Sequence, residues 1–295
     1  MDEWWPCWSL FFCGRKKLAF GVRAIDQILL GGIPSGCIAE ITGEAGSGKT
    51  QTAMHLTAQA LVSQLDVPSS GRQPTDAAVY YIYTEGSLPA ERLSPIVESS
   101  VRRHYASRGV AGGELEERVQ HCVGKLMDRI YVEHVEDEGR LSYVLSSKIP
   151  LLMSVFKVVL VVIDSIAAIF RVPQRGLNRD GLAARSESLF ILASLLKRIA
   201  ANHSAWVVVT NQVSLAQLPR GFRGDANQSH AMVRPTLGMA WSTCVNCRMM
   251  LSKARWSGGR EVAPRQFHLE FAPHAHPERC GFRIGNGGIE GVEEA

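Results

Sequence analysis

The chain has 295 residues, enough for one large α/β domain or two small ones, and a net charge of only +4. Its 46% hydrophobic and 20% charged residues are ordinary for a globular protein, and no run approaches the roughly 18 apolar residues of a membrane span. The acidic start Met1-Asp2-Glu3 argues against a secretory signal, and seven scattered cysteines, an odd number, argue against a disulfide framework and for a reducing compartment.

In chain order, residues 1–17 come first as an atypical aromatic-rich segment, crowded with Trp4, Trp5, Trp8, Phe11 and Phe12 before Arg15-Lys16-Lys17. From residue 37 to about 211, strand-like and helix-like segments alternate. Strands are predicted at 37–42, 78–84, 129–134, 157–163 and 206–210, and helices at 50–65, 89–107, 138–151 and 180–202, with a polar loop at 66–77. This alternation predicts a mainly parallel, twisted sheet with helices on both faces. The run Val158-Val159-Leu160-Val161-Val162-Ile163 is continuously apolar, as a central parallel strand should be. After residue 240, strands at 244–251, 265–271 and 280–284 lack intervening helices, which predicts antiparallel strands on one edge. The glycine-rich stretch from Gly285 reads as a frayed tail ending in the acidic residues 293–295.

The chemistry centres on Gly43-Glu44-Ala45-Gly46-Ser47-Gly48-Lys49-Thr50, which fits G-x-x-x-x-G-K-[ST] between a predicted strand and a predicted helix. Such a loop turns its backbone N–H groups onto phosphate oxygens, and the helix N-terminus adds partial positive charge. Lys49 would reach the β- and γ-phosphates of ATP, and the Thr50 hydroxyl would bind Mg2+. A partner carboxylate is needed for the Mg2+, and Asp164, which ends the apolar 158–163 run, is the candidate. Glu85 follows the next predicted strand in Tyr83-Thr84-Glu85-Gly86. The carboxyl ends of parallel strands face the ligand crevice, so Glu85 is the candidate for polarising the attacking water. Asn211-Gln212 end the strand Trp206–Thr210, where an amide can report the γ-phosphate.

Charge is unevenly distributed. Residues 171–185 carry Arg171, Arg175, Arg179 and Arg185 against Asp180, and residues 215–234 carry Arg220, Arg223 and Arg234 against Asp225. Both segments read as loops, and arginine clustered on loops is an electrostatic signature of nucleic-acid binding.

These motifs, in this order and spacing, resemble the RecA-type recombinases. The carriers are Gly43–Thr50, Tyr83-Thr84-Glu85-Gly86 with Glu91-Arg92-Leu93, Val161-Val162-Ile163-Asp164-Ser165 and Thr210-Asn211-Gln212-Val213. The lead-in Gly21–Gly36 is similar to that of the eukaryotic and archaeal branch, and the chain looks like a paralogue of the strand-exchange enzyme. The likeness covers about residues 18–292. It implies a RecA-like P-loop ATPase core, with Arg92 at the adenine-stacking position and two DNA-binding loops at 171–182 and 214–234. It further implies single-stranded or branched DNA as ligand, and a heterodimer with another recombinase paralogue (letter C of the set). Contact with the main recombinase filament and a nuclear and cytoplasmic location, with no membrane, complete what it implies. The small N-terminal helical domain of relatives has no counterpart in residues 1–17. The second loop also lacks the glycine-rich, aromatic character of strand-exchange enzymes. Two functions stay open at this point: an ATP-binding homologous-recombination protein with weak DNA-dependent ATPase activity, and a nucleotide-bound scaffold or filament cap with negligible turnover.

Overall fold

The computed structural model describes residues 14–65, 77–171, 179–215, 233–253 and 265–292. A short ribbon opens it: β1 (Lys17–Leu18) pairs antiparallel with β2 (Ile33–Pro34) around helix α1 (Arg23–Ile28). The nucleotide-loop unit follows, β3 (Ile38–Gly43) and α2 (Lys49–Val62), then β4 (Ala77–Tyr83), α3 (Leu93–Ala106), α4 (Gly112–Met127) and β5 (Ile130–His134). Next come α5 (Glu138–Tyr143), α6 (Ile149–Val155), β6 (Lys157–Asp164), α7 (Ile166–Ile169), α8 (Arg179–His203) and β7 (Trp206–Leu215). The chain ends through β8 (Val233–Pro235), α9 (Gly238–Ser242), β9 (Cys247–Lys253), β10 (Arg265–Phe271), β11 (Arg279–Gly285) and β12 (Gly288–Gly291).

Among the described residues the strands from β3 onward build one ten-stranded sheet, ordered β12-β11-β10-β9-β3-β7-β6-β4-β5 with β8 paired to β7. The run β5-β4-β6-β7-β3-β9 is parallel throughout. Val158 to Ile163 on β6 are all buried, because helices cover both faces of this part of the sheet. Two apolar clusters occupy the faces. One gathers α1–α4 with Phe267, Phe282 and Ile289 of the C-terminal strands, and the other gathers α5–α9 around Trp241, Leu196 and Phe170.

The α/β class, the parallel core and the helices on both faces agree with the sequence reading. Four details differ. The strand expected at 244–251 pairs parallel with β3, so only β10, β11 and β12 form the antiparallel edge. The supposed frayed tail contains β12, whose Ile289 is buried against α2 and whose Gly291 pairs with Phe282. An unexpected helix, α4, forms an αα-hairpin with α3. Its apolar stripe runs through Leu115, Val119, Cys122, Val123, Leu126 and Met127 at helical spacing, with Val119 and Leu126 buried and the other four half-buried against the core, so the helix was legible in the sequence. Finally, β7 runs on to Leu215, and the antiparallel β8 pairs Pro235 with Val213, so Asn211 and Gln212 lie inside the strand. Residues 66–76, 1–13 and 293–295 lie outside the described residues.

Candidate nucleotide site and its nucleic-acid loops

The carboxyl ends of β3, β4, β6 and β7 meet in one crevice, and the predicted residues arrive there by strand order alone. The loop after β3 turns tightly onto α2. Gly48, the residue before that helix, sits at φ +106°, a left-handed conformation open to glycine. A Cβ on Gly43 would fall 2.5 Å from the Ser47 hydroxyl and 2.4 Å from the Leu251 carbonyl. Lys49 Nζ donates to the carbonyls of Gly43 at 2.8 Å and Glu44 at 2.9 Å, folding back over its own loop. Burial lowers the Lys49 pKa, while the carboxylates of Asp164, Glu85 and Glu44 act in the opposite direction. The ammonium therefore stands within electrostatic reach of both acids nominated from the sequence.

Asp164 ends β6, held from two neighbouring strands. Thr210 Oγ1 donates to one carboxylate oxygen at 2.6 Å and the Tyr81 hydroxyl to the other at 2.9 Å. Burial, and then the Asp164 charge, push the Tyr81 pKa well above its usual value, so its hydroxyl remains a donor. A carboxylate offers about four lone-pair positions, so these two bonds fix its orientation and leave sites for water.

Glu85 lies two residues past β4. Gln212 Nε2 donates to its Oε2 at 3.1 Å, and Arg171 Nη2 pairs with its Oε1 at 2.7 Å. Gln212 thus reaches the crevice, from inside β7 and not from its end. Asn211 does not: strand alternation turns it inward, where it is fully buried and donates to Glu40. Arg92 is fastened beside the nucleotide loop, donating to the Gln51 side chain at 3.2 Å and the Gly285 carbonyl at 2.9 Å. It therefore joins the start of α2 to the end of β11, a location compatible with a role against a base.

Two of the arginines expected on loops are helical: Arg179 is the first residue of α8 and Arg185 lies inside that helix. Arg185 also donates to the Phe170 carbonyl at 3.3 Å, an intramolecular tie. Arg171 is an exposed residue paired with Glu85, and the backbone of Arg234 lies opposite that of Ser214 in the β7–β8 ladder. Arg175, Arg220 and Arg223 lie outside the described residues.

The donors present fit ATP and Mg2+. The Ser47 hydroxyl is buried inside the loop with no partner, an orphan that a phosphate oxygen would satisfy. Thr50 is the second residue of α2, and Asp164 is held by its two neighbours. Among the described residues no group of three or more His, Cys, Asp or Glu could hold a metal by itself. A hydroxyl, a carboxylate, waters and substrate phosphates are the ligands Mg2+ takes in such sites.

A polar cluster unforeseen from the sequence lies directly beneath. Glu40 on β3, with no exposed surface, accepts from Asn211 Nδ2 at 2.7 Å and Trp241 Nε1 at 2.8 Å, and pairs with the guanidinium of Arg248 on β9. Asn211 Oδ1 in turn accepts from the Thr236 hydroxyl at 2.9 Å, and Thr236 N donates to the Gln212 carbonyl. The available signal was Glu40 itself: a charge within a strand that is otherwise apolar must have partners.

Comparison with known proteins agrees with this architecture. A crystal structure of the RadB recombinase superposes with a TM-score of 0.62, at 25% identity over 94% of this chain and 100% of that one. The DNA repair protein XRCC3 of Bos taurus is 28% identical over 281 residues, which span 94% of this chain and 75% of the relative. The DNA repair protein rhp57 of Schizosaccharomyces pombe is 28% identical over 297 residues, 93% of this chain and 79% of the relative. A family model described as Rad51 matches residues 16–292, and the chain belongs to the Rad51 family.

Proposed function

We propose that the protein is an ATP-binding DNA repair protein of homologous recombination. It acts in double-strand-break and crosslink repair, in the nucleus and cytoplasm, as a heterodimer with another recombinase paralogue. The observation that carries the reading is the convergence of Lys49, Asp164, Glu85 and Gln212 on one crevice, with Arg171 as the next residue outward. Its relatives are named DNA repair proteins, in keeping with such a role.

In this reading Gly43 to Gly48 wrap the phosphates with backbone N–H groups, and Lys49 leaves its two loop carbonyls to meet the β- and γ-phosphate oxygens. Thr50 and Asp164 hold Mg2+, which supplies neutralisation of the phosphate charge. Arg92 lies against the base. Glu85 orients the attacking water and receives its proton, and Gln212 reports the γ-phosphate. Because β8 returns directly onto β7 beyond Gln212, a displacement of Gln212 is felt at the base of the second arginine-bearing segment. The pairing of both Glu85 oxygens is the observation that favours slow turnover, and with it the scaffold alternative.

The deciding experiment measures ATP turnover of the purified chain, with and without single-stranded DNA, together with the salt dependence of DNA binding. DNA-stimulated turnover supports the enzyme, and nucleotide binding without turnover supports the scaffold. If about five arginines meet single-stranded DNA, the log–log salt slope is about −3 to −4. A flat slope removes the DNA reading.

A further inference from the structure

The pair that links the two halves of the proposed site is Arg171–Glu85. Arg171 is the last described residue before 172–178, at the head of the first arginine-bearing segment, and Glu85 is the nominated base. Arg171 Nη2 is 2.7 Å from Glu85 Oε1, with the two side chains 57% and 40% exposed. On the other oxygen, Gln212 Nε2 donates at 3.1 Å. Each carboxylate oxygen is therefore already engaged, by partners from two different segments. An acid that is to receive a proton from water needs an oxygen aimed at that water. An ion pair this exposed is also weak and salt-screened, so a polyanion competes well for its cation. Guanidinium binds phosphate through the same fork that it offers a carboxylate.

We propose that Arg171 is a shared ligand, held by Glu85 in the free protein and surrendered to a backbone phosphate of bound nucleic acid. The transfer frees Glu85 Oε1 for the attacking water. Glu85 then takes that water's proton as the water oxygen bonds to the γ-phosphorus and the bond to the β,γ-bridging oxygen breaks, giving ADP and inorganic phosphate. This rests on the ATPase and DNA-binding reading above and adds its regulation. Arg171 is a positioning residue here, acting on the chemistry through Glu85. Competition for one side chain is reciprocal: whatever removes Glu85 from Arg171 must tighten nucleic-acid binding.

The test is a double-variant cycle on the full chain, using fluorescein-labelled oligothymidylate and anisotropy in the absence of nucleotide. Glu85→Gln tightens binding about two- to five-fold, in line with a surface ion pair. Arg171→Ala weakens it, and Glu85→Gln has no further effect in the Arg171→Ala background. Equal tightening in both backgrounds, or none in either, overturns the proposal, because the first reports only net charge and the second an idle pair. A turnover arm completes it: without DNA, Arg171→Ala hydrolyses ATP at the DNA-stimulated rate of the unaltered chain. Normal DNA stimulation with an unchanged basal rate in Arg171→Ala overturns the switch alone. Absence of turnover in the unaltered chain with DNA present, or absence of oligothymidylate binding, removes the underlying reading as well.

Discussion

Glu40, on the strand that leads into the nucleotide loop, accepts a 2.7 Å hydrogen bond from Asn211, the neighbour of Gln212 on the adjacent strand. Through the same carboxylate it holds Trp241 and Arg248, and through Asn211 it holds Thr236, where the chain re-enters the fold after β8. The register that pairs Gln212 with Gly43 is thus pinned by a buried charge as well as by the β3–β7 ladder. Removing one partner of such a pair strands the other without water. Glu40→Ala and Arg248→Ala are each expected to cost about 3–5 kcal/mol. The double substitution should cost clearly less than their sum, as urea unfolding of all four proteins would measure. Simple additivity would mean that the two charges do not depend on each other.

Glu85→Gln removes the proposed base and keeps the Gln212 contact, since an amide oxygen also accepts. Turnover should fall by about 10²–10⁴-fold, the range for loss of a general base, while ATP affinity stays near that of the unaltered chain. Single-turnover hydrolysis checks the first claim and equilibrium titration the second. Retention of the full rate would transfer the role to another group.

His55 supplies a pH prediction from the opposite face of α2. Its Nε2 lies 2.7 Å from the Phe20 carbonyl, and its Nδ1 accepts from Ile289 N at 3.2 Å, so the neutral tautomer protonated at Nε2 joins the lead-in, the helix and β12. Burial drives its pKa down to about 4, with the Phe20 bond opposing and Arg103 assisting. The unfolded chain takes the proton at about pH 6.5 and the folded one resists it until about pH 4. The stabilisation is therefore fully present above pH 6.5, declines as pH falls below it and is gone by about pH 4. Its size is about 3 kcal/mol. Unfolding free energies at pH 7.5 and 4.5 should differ by roughly that much more in the unaltered chain than in His55→Asn. Identical pH profiles would refute the assignment.

The parts of this molecule that local sequence carries were legible in it. Val158 to Ile163 could only be a strand covered on both faces, and Gly43 to Thr50 could only be useful between a strand and a helix. Asp164 follows from the geometry of parallel strand ends, whereas Gln212, expected at a strand end, lies inside β7 because β8 extends that strand to Leu215. Apart from α4, what escaped depends on distant partners. The direction of β9 is set by β3, and β12 is a glycine-bounded segment that becomes a strand only by pairing with β11. Glu40 meets its amide and guanidinium partners 171 and 208 positions away, so its neighbours in the chain do not reveal them. Arg171, Arg179 and Arg185 form a charge cluster in the sequence, which read as a loop. Their separate fates, an ion pair for one and a helix for the others, belong to the tertiary structure.

Lys49 offers the most direct test of the crevice as a phosphate site. Its ammonium donates to the Gly43 and Glu44 carbonyls at 2.8 and 2.9 Å, bonds that phosphate oxygens can replace. A hydrogen bond from a charged group contributes about 1.5–3 kcal/mol, so Lys49→Ala should weaken Mg2+–ATP binding by about 10- to 100-fold. Lys49→Arg keeps the charge but exchanges a compact ammonium for a planar fork in a tight loop, and should fall between. Neither change removes a core side chain, so urea midpoints should stay close to that of the unaltered chain. Titration with a fluorescent ATP analogue reads the affinity. If affinity drops and the midpoint holds, the loss lies in the loop, whereas unchanged affinity in Lys49→Ala would mean that nucleotide, if bound at all, is held elsewhere.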